Sequence, residues 1–313
     1  MNSRLLVTSA NGFVGNAVCN QAVRKGHAVN GTIRIDVDVP NHIEPFAVSN
    51  INGLTEWGIA LRDVNFVVHL AARVHVMQET EADPLAAFRT VNVEGTLNLA
   101  RQAAGFGVRR FVFVSSVKVN GESTPSGRAF TEADVINPQD AYSQSKYEAE
   151  QGLRQVSAET GMEVVIIRPP LVYGPGVKAN FAALMRIVKR GWPLPLGAVH
   201  NQRSLVAMDN LVDFILTCIT NPLAANQTFF VSDGQDLSTT DLVRRMARAA
   251  GVPARLLPLP VWALQAGASL LGKGDAIQRL CGNLQVDISK ARNLLGWVPP
   301  VSVDEGLRRS MMV

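Results

Sequence analysis

Short apolar runs alternate with amphipathic stretches through the first half of the chain. The runs are rich in Val, Ile and Phe and predict buried strands at Arg4–Thr8, His27–Ile33, Asn65–Leu70, Arg110–Ser115 and Glu163–Arg168. The stretches between them have helical periodicity, at Phe13–Lys25, Leu54–Leu61, Leu85–Ala104 and Ala141–Thr160. Strands that alternate with helices pair in parallel, because each crossover has room for a helix. The sequence therefore predicts an α/β fold on a doubly wound parallel sheet.

A glycine-containing turn follows the first predicted strand, at Thr8-Ser9-Ala10-Asn11-Gly12-Phe13-Val14-Gly15. Glycine is favoured where a Cβ atom would block the approach of backbone to a ligand. A helix that begins at such a turn points its first N–H groups at a bound pyrophosphate. The place of this turn favours nucleotide binding over an ordinary tight turn.

The composition and the hydrophobic pattern change in the second half of the chain. Pro and Gly become frequent after Arg168-Pro169-Pro170, one strand-like run at Gln227–Ser232 is expected to rejoin the sheet, and the rest reads as helical. We therefore predict a Rossmann-type nucleotide-binding domain over residues 1–172, with residues 205–235 rejoining it. Residues 173–204 and 236–313 are expected to form a smaller, mostly helical substrate-binding lobe.

Composition narrows the class of protein. Hydrophobic residues make up 47% of the 313 residues and charged residues 18%, so a large core is expected and disorder is not. The net charge of +4 is small and the cations are scattered, which argues against nucleic acid and against a basic patch, while a local basic funnel for a phosphate-bearing substrate stays open. No histidine spacing suggests a metal site.

The cysteines and the apolar segments indicate where in the cell the protein is located. Three cysteines far apart, Cys19, Cys218 and Cys281, favour free thiols in a reducing cytosol. The N-terminus runs straight into a strand without a signal-peptide profile, so a cytoplasmic protein is expected. The longest uncharged run, Leu256–Gly272, is short for a membrane span and is interpreted as buried or cleft-lining.

A tyrosine and a lysine stand four residues apart in the predicted helix Ala141–Thr160, at Tyr142 and Lys146. This spacing places both on one helix face. An ammonium near a phenol lowers the pKa of the phenol, which then exchanges protons nearer neutrality. The spacing alone is common on solvated helices, so its meaning depends on the other motifs.

These motifs together resemble the extended short-chain dehydrogenase/reductases, which include nucleotide-sugar epimerases, dehydratases and reductases. The resemblance rests on the N-terminal turn, on His69-Leu70-Ala71-Ala72, on Ser115-Ser116 and on Tyr142 with Lys146. It continues through Arg168 to Gly176, through Arg203-Ser204-Leu205-Val206-Ala207-Met208-Asp209-Asn210, and through Asp287-Ile288-Ser289-Lys290-Ala291 with Leu295-Gly296-Trp297. It covers nearly the whole chain in order.

The resemblance implies a site for NAD or NADP. Gly12 and Gly15 match the second and third glycines of the family's turn, and Ser9 replaces the first. Asn50 and Ile51 fall where the family places an acidic and an apolar residue at adenine. The full set of cofactor-binding residues implied is Thr8, Ser9, Asn11, Gly12, Phe13, Val14, Gly15, Arg34, Asn50, Ile51, Leu70, Ala71, Ala72, Asn92, Tyr142, Lys146 and Pro169.

The resemblance also implies catalytic and substrate-binding residues. Tyr142 would be the general acid/base, Ser116 the hydroxyl beside it, and Lys146 the residue that holds the nicotinamide ribose and tunes the tyrosine. Lys118, Asn180, Arg203 and Arg279 are the predicted substrate contacts, and Arg suits a diphosphate because it can bind bidentately.

Several of these residues have structural alternatives. Ser116 could cap the end of its strand, and Asn180 could be the N-cap of a helix at Phe181–Lys189. Arg203 could be an ordinary surface arginine. His75 could face the substrate but is interpreted as a structural or surface residue.

The residues after Ser116 and at the end of the second strand bear on the reaction. Ser116-Val117-Lys118-Val119-Asn120-Gly121 contains no carboxylate, which argues against a dehydratase, and Lys118 is unusual for an epimerase. Arg34 suits the 2′-phosphate of NADP, although Asp36 could serve a ribose hydroxyl. NADP is slightly favoured over NAD. This preference increases the support for a 4-keto-sugar reductase relative to a 4-epimerase.

The resemblance thus predicts a cytoplasmic enzyme acting at C4 of a UDP-hexose or UDP-N-acetylhexosamine in surface-polysaccharide precursor synthesis. Two alternatives are an NADPH-dependent reductase of a small ketone and an inactive NADP-binding protein. The resemblance also allows a homodimer through the helices that carry Asn92 and Tyr142.

Overall fold

A computed structural model describes residues 3–34, 42–74, 83–270 and 274–312. Seven strands form one parallel sheet in the order β3-β2-β1-β4-β5-β6-β9. Their bounds are β1 Arg4–Val7, β2 Ala28–Ile33, β3 Glu44–Ala47, β4 Phe66–His69, β5 Arg110–Val114, β6 Glu163–Arg168 and β9 Thr228–Phe230. β7 (Leu171–Tyr173) and β8 (Leu205–Ala207) form a separate parallel pair. The predicted doubly wound α/β fold is confirmed, and so is the return of the late strand to the sheet.

Helices cover the sheet and build the C-terminal part of the chain. In order they are α1 Phe13–Arg24, α2 Pro84–Arg89, α3 Thr96–Gly105, α4 Ala141–Thr160, α5 Ala179–Lys189, α6 Met208–Thr220, α7 Thr239–Ala249, α8 Val261–Leu270, α9 Gly274–Cys281, α10 Ser289–Leu295 and α11 Val303–Met311. The order of the strands reverses between β1 and β4. Ligands of open α/β sheets bind at such a reversal, beyond the carboxyl ends of the strands.

Alternate strand residues face two separate hydrophobic cores. In β1, Leu5 and Val7 pack with α1 and α6, whereas Leu6 packs on the opposite face with α3 and α4. In β5, Val112 packs in the core with Leu5 and Val7, and Phe113 packs in the core with Leu6. Successive side chains of a strand point to opposite faces, so a strand covered by helices on both sides must be apolar throughout. This requirement explains the uninterrupted apolar runs in the sequence.

The predicted helix at Leu54–Leu61 is wrong, because this segment consists of turns. Two side chains of α3, Asn98 and Gln102, donate to the backbone carbonyl of Thr55, and Gln102 also accepts from the N–H of Trp57. The backbone of the segment therefore finds its hydrogen bonds in a neighbouring helix, while the Trp57 ring is buried in the core.

The predicted helix at Leu85–Ala104 is interrupted. A π-helical turn, Thr90–Gly95, separates α2 from α3. Such turns insert an extra residue and are frequent at functional sites. The edge strand β3 was not predicted, because its four residues include Pro45 and are mostly exposed.

The C-terminal part of the chain has a core of its own, formed by α5, α7, α11 and the β7–β8 pair. Residues Leu284, Val286, Ile288, Ala291 and Trp297 instead pack against the core of the main sheet. Segments of the two regions are thus interleaved along the chain.

The uncharged run Leu256–Gly272, predicted to be buried or cleft-lining, is not buried throughout. Leu257 is 50% exposed and Trp262, on α8, is 72% exposed. Among the described residues, no helix is both long and apolar enough to cross a membrane.

Candidate active site

The N-terminal turn brings backbone against backbone. Ser9 has a φ of 57°, in the left-handed region where the family's glycine would be unstrained. A Cβ atom on Gly15 would lie 2.0 Å from the carbonyl oxygen of Ser9, and one on Gly12 would lie 3.0 Å from it. Glycine is therefore required at position 15 by the turn itself.

The first turn of α1 is open to a ligand. Its N-cap, Gly12, makes no side-chain hydrogen bond, and the first turn carries no acidic residue. The N–H groups at this end are thus left for an anion, which the helix dipole also favours. These features fit the pyrophosphate of a dinucleotide, with Asn11, Phe13 and Val14 at the same end of the helix.

Thr8 and His69 join the carboxyl ends of β1 and β4. The Thr8 hydroxyl accepts from the N–H groups of Leu70 and Ala71, each at 2.9 Å, and lies 3.0 Å from His69 Nδ1. Because two N–H groups already donate to this oxygen, its proton points to Nδ1, and His69 Nε2 then donates to Thr96 Oγ1 at 2.9 Å. Burial lowers the pKa of His69 to about 3, so the ring is neutral.

Asn92 lies in the π-helical turn and is buried. Its side chain accepts from the N–H of Arg73 at 2.8 Å and donates to the carbonyl of Arg73 at 3.0 Å. It also donates to Ser145 Oγ at 2.9 Å. Asn92 thereby ties the loop after β4 to α4, the helix that carries Tyr142.

The adjacent serines after β5 have different environments. Ser115 is buried and donates to Glu150 Oε1 at 2.6 Å. Ser116 is half-buried, and its hydroxyl accepts from the N–H of Lys118 at 3.2 Å, as the N-cap of a 3₁₀ turn at Val117–Val119. The capping alternative for Ser116 is thus present in the structure. It leaves the hydroxyl proton of Ser116 for another partner.

Lys146 is buried on the same face of α4 as Tyr142, one turn further on. Its ammonium donates to the carbonyl of Val114 at 2.9 Å and lies 4.4 Å from the centre of the Phe113 ring. Burial lowers the pKa of Lys146 to about 7, and the nearby Glu150 opposes this change. The lysine is therefore anchored to the end of β5, two residues before Ser116.

Tyr142 is half-buried, with its ring edge-on to Phe88 at 6.2 Å between centres. Burial, followed by the negative charge of Asp140, raises its pKa to about 12. Burial of Lys146 also lowers the pKa of the lysine, and the lowering of the Tyr142 pKa by Lys146 stays a prediction.

Lys118 bridges two carboxylates that lie outside its own segment. Its ammonium is 2.7 Å from Glu122 Oε1 and 2.7 Å from Asp140 Oδ2. Asp140 is the N-cap of α4 and forms a capping box with Ser143. Acidic groups therefore do lie beside Lys118, but both are paired with it. Ion pairing with Lys118, followed by the bonds to Ser143, holds the pKa of Asp140 below its usual range despite burial.

A buried ion pair behind the site was not predicted. Glu150 and Arg168 are both buried and bond through two pairs of atoms. Arg168 also donates to Asn120 Oδ1 at 2.9 Å, and Ser115 completes the cluster. The four-residue spacing of Lys146 and Glu150 on a helix was a signal that could have identified Glu150.

The remaining cofactor candidates surround the same edge of the sheet. Arg34 is exposed just after β2, and Asn50 is exposed in the loop after β3. Ile51 packs on Gly95, where a Cβ atom would lie 2.5 Å from Ile51 Cγ2. Ala72 is half-buried in the loop after β4, and the buried Pro169 accepts from the N–H of Val117. His75 and Asp36 lie outside the described residues.

Three of the four substrate candidates are linked. Arg203 is half-buried and donates to the carbonyl of Arg279 at 2.6 Å. The Arg279 guanidinium is 3.6 Å from Glu122, which Lys118 also contacts. Arg203 is therefore not an ordinary surface arginine.

Asn180 stands apart from these three residues. It is exposed within α5, which begins at Ala179 with Lys178 as its N-cap. The alternative of Asn180 as an N-cap is wrong.

Comparison with known proteins agrees with this geometry. The model of the NAD dependent epimerase/dehydratase family matches residues 5–231. UDP-glucose 4-epimerase of Vibrio cholerae is 48% identical over 312 residues, covering 99% of this chain and 95% of that protein.

Two solved structures share the fold. UDP-N-acetylglucosamine 4-epimerase from Bacillus cereus superposes with a TM-score of 0.80 at 18% identity, covering 99% of this chain and 96% of that one. UDP-glucose 4-epimerase from Thermotoga maritima, solved with UDP-glucose, gives 0.76 at 22%, covering 99% and 97%. The NAD dependence of the matching family agrees with the predicted cofactor, NAD or NADP. Taken with the glycine turn, Ser116 and the Tyr142–Lys146 pair, these matches show that the chain belongs to the NAD dependent epimerase/dehydratase family.

Proposed function

We propose that the chain oxidises and re-reduces C4 of a UDP-hexose or UDP-N-acetylhexosamine, with 4-epimerisation as the net reaction. The observation that carries this proposal is the anchoring of Lys146 to Val114, which sets the Tyr142 face of α4 against the end of β5 where Ser116 lies. The 48% identity to a UDP-glucose 4-epimerase favours epimerisation over the other reactions of the family.

In this proposal the chain's own residues handle the proton of the C4 hydroxyl. Tyr142, as phenolate, accepts this proton while the C4–H bond breaks, and it returns the proton when the ketone is reduced on the opposite face. Ser116 donates its hydroxyl proton to the same oxygen and holds it in place. The hydride chemistry, both acceptance and return, would be supplied by a bound nicotinamide.

The cofactor would lie across the reversal in strand order between β1 and β4. Gly12 and Gly15 admit the pyrophosphate, and the open N-terminus of α1 donates to it. Ile51, Ala71 and the other predicted residues would line the remainder. The raised pKa of Tyr142 makes a positive charge beside it useful, and an oxidised nicotinamide carries one.

The substrate would lie between this edge and the C-terminal lobe of residues 173–204 and 236–313. Arg203 and Arg279 would bind the diphosphate, because they lie together and the Arg279 side chain is exposed. Lys118 would lie nearer the sugar, and Asn180 would contact the nucleotide from α5. The same proposal includes a role in surface-polysaccharide precursor synthesis and a homodimer through the helical segments that carry Asn92 and Tyr142.

One experiment tests the proposal directly. The protein is incubated with UDP-glucose, UDP-N-acetylglucosamine and a 4-keto-6-deoxy UDP-sugar, each with NAD and with NADPH. We expect the C4 epimer of at least one sugar without net consumption of cofactor, and none from Tyr142→Phe. A protein that binds the cofactor but converts no nucleotide sugar would contradict the proposal.

A 4-keto-sugar reductase is the second candidate, and Arg34 favours it. Arg34 is exposed at the carboxyl end of β2, where it could meet a 2′-phosphate, and neither Ile33 nor Arg34, the last residues described there, is acidic. A reductase would consume NADPH with the 4-keto sugar in the same incubation. Arg34→Ala should then raise the KM for NADPH and leave that for NADH unchanged.

A further inference from the structure

Two segments of the C-terminal lobe carry cations and no acids. Residues 171–208 contain no Asp or Glu, and neither do residues 242–274. The exposed arginines within them include Arg186 and Arg190, in and just after α5, and Arg248 and Arg255, in and after α7. The prediction that the cations are merely scattered is wrong for this region.

The two segments pack together, so their cations share one part of the surface. Val188 of α5 meets Val243 and Ala247 of α7 in one hydrophobic core. Beyond both helices, the N–H of Leu194 bonds to the carbonyl of Arg255 at 2.8 Å. Trp192 and Arg255 line the same small groove.

Large apolar side chains are exposed among these cations. Trp192 is 57% exposed, Leu257 is 50% exposed and Trp262 is 72% exposed. The Arg190 guanidinium lies 5.5 Å from the centre of the Trp192 ring. Leu257 bonds through its N–H to the carbonyl of Leu194, two residues after Trp192, and α8 with Trp262 begins shortly after. We call Trp192, Leu257, Trp262 and these four arginines the basic apolar face.

The carboxylates at the starts of α7 and α11 pair with other arginines. Asp241, at the start of α7, pairs with Arg244 at 3.3 Å. Asp304 of α11 pairs with Arg245 at 3.0 Å. Neither arginine is among the four of the face, and among the described residues none of these four forms an ion pair with a carboxylate. The four arginines therefore place positive charge around the tryptophans.

We propose that the basic apolar face docks this protein on an anionic phospholipid bilayer. Trp is favoured at the boundary of headgroups and acyl chains, where its ring is partly buried and its N–H stays wet. Lys and Arg extend to the phosphates from beside it. The short, uncharged α8 would lie on the bilayer rather than cross it.

Charge complementarity selects the bilayer over a second copy of the chain. Two copies of this face would bring cations against cations, which costs free energy. Nucleic acid would satisfy the cations but leave Leu257 and Trp262 exposed. The inference uses surface residues alone and does not depend on the proposed reaction.

Vesicle flotation with the full chain tests the proposal. Neutral phosphatidylcholine vesicles are compared with vesicles containing about one-third phosphatidylglycerol, at low and high salt. We expect binding to the anionic vesicles only, weakened by salt, with a blue shift of tryptophan fluorescence. Trp57 and Trp297 are buried, so the shift reports Trp192 and Trp262.

Matched variants separate this face from general charge. Arg190→Gln with Arg255→Gln should lower partitioning about fivefold for each charge. Arg24→Gln with Arg62→Gln removes the same charge from exposed positions elsewhere and should change little. Trp192→Ser with Trp262→Ser should abolish the fluorescence shift, while turnover in solution and the unfolding midpoint stay unchanged.

Three results would overturn the proposal: no binding to anionic vesicles, equal loss in the control pair, or tighter binding to duplex DNA than to the vesicles. Self-association through the face, lost in the tryptophan variant, would overturn it as well.

Discussion

Lys118 Nζ lies 2.7 Å from Asp140 Oδ2, so the loop that carries Ser116 is bonded to the N-cap of α4, the helix of Tyr142. The same ammonium holds Glu122 at 2.7 Å. Lys118 therefore offsets the negative charge that raises the pKa of Tyr142. An unusual residue for this family thus has a structural explanation in the charge balance around the tyrosine.

We expect Lys118→Met to shift the rising limb of the pH–rate profile to higher pH. Without the ammonium, the Asp140 carboxylate opposes ionisation of Tyr142 more strongly. A shift of one pKa unit would lower activity at neutral pH about tenfold. The other charges near Tyr142, Lys146 on α4 and Arg73 above the Phe88 ring at 5.6 Å, are unchanged.

Lys118→Arg is the matched control, because it keeps the charge. Its profile should follow the wild type more closely than that of Lys118→Met. Equal shifts in both variants would show that Lys118 acts through shape or substrate contact and not through Asp140.

The neighbouring serines should respond differently to the same substitution. Ser116→Ala should lower kcat by about 10²- to 10³-fold with little change in stability, since it removes a donor to the reacting oxygen. Ser115→Ala should instead destabilise the fold by about 1–3 kcal/mol, because it removes a buried partner of Glu150. Steady-state kinetics and urea unfolding of both variants check this. Equal losses of kcat would contradict the assignment of Ser116.

The main sheet could be predicted from sequence because its strands are runs of mostly apolar residues. That pattern depends only on burial, and it located β1, β2, β4, β5, β6 and β9. Elements whose hydrogen bonds or packing come from distant residues were missed. The turns near Trp57 depend on Asn98 and Gln102 of α3, which no local pattern in the segment reveals.

The site was predictable in its parts but not in its charges. Spacing located Tyr142 and Lys146, yet burial sets their pKa values, and burial depends on the whole fold. The pairing of Lys118 with Asp140 joins residues 22 positions apart. Sequence inspection of the segment after Ser116 found no carboxylate, and only the fold brings Asp140 there.

His69 should make stability depend on pH below neutrality. Its folded pKa of about 3 lies below the unfolded value of 6.5, so the unfolded chain binds the extra proton between these values. The contribution of His69 to the free energy of unfolding is therefore complete above pH 6.5 and is lost as the pH drops toward 3. For so buried a group the loss is on the order of several kcal/mol. Urea unfolding from pH 7 to pH 4 measures the slope.

His69→Gln provides the comparison for that slope. It should be less stable than the wild type at pH 7, by about 1–3 kcal/mol for a disturbed buried hydrogen bond to Thr8 or Thr96. Carboxylates titrate in both proteins, so only the difference between them reports His69. That difference should shrink as the pH falls, and a constant difference would show that His69 is not the titrating group.

Two substitutions in the N-terminal turn should have different effects, one on stability and the other on cofactor binding. Ser9→Gly relieves a left-handed residue, which costs about 1–2 kcal/mol, but it also loosens the unfolded chain, so we expect a gain of up to about 1 kcal/mol. Gly15→Ala should abolish NAD binding, because the added Cβ would lie 2.0 Å from the Ser9 carbonyl and displace the turn. Urea unfolding and calorimetric titration with NAD measure the two effects. Wild-type affinity in Gly15→Ala would mean that the dinucleotide does not depend on this turn.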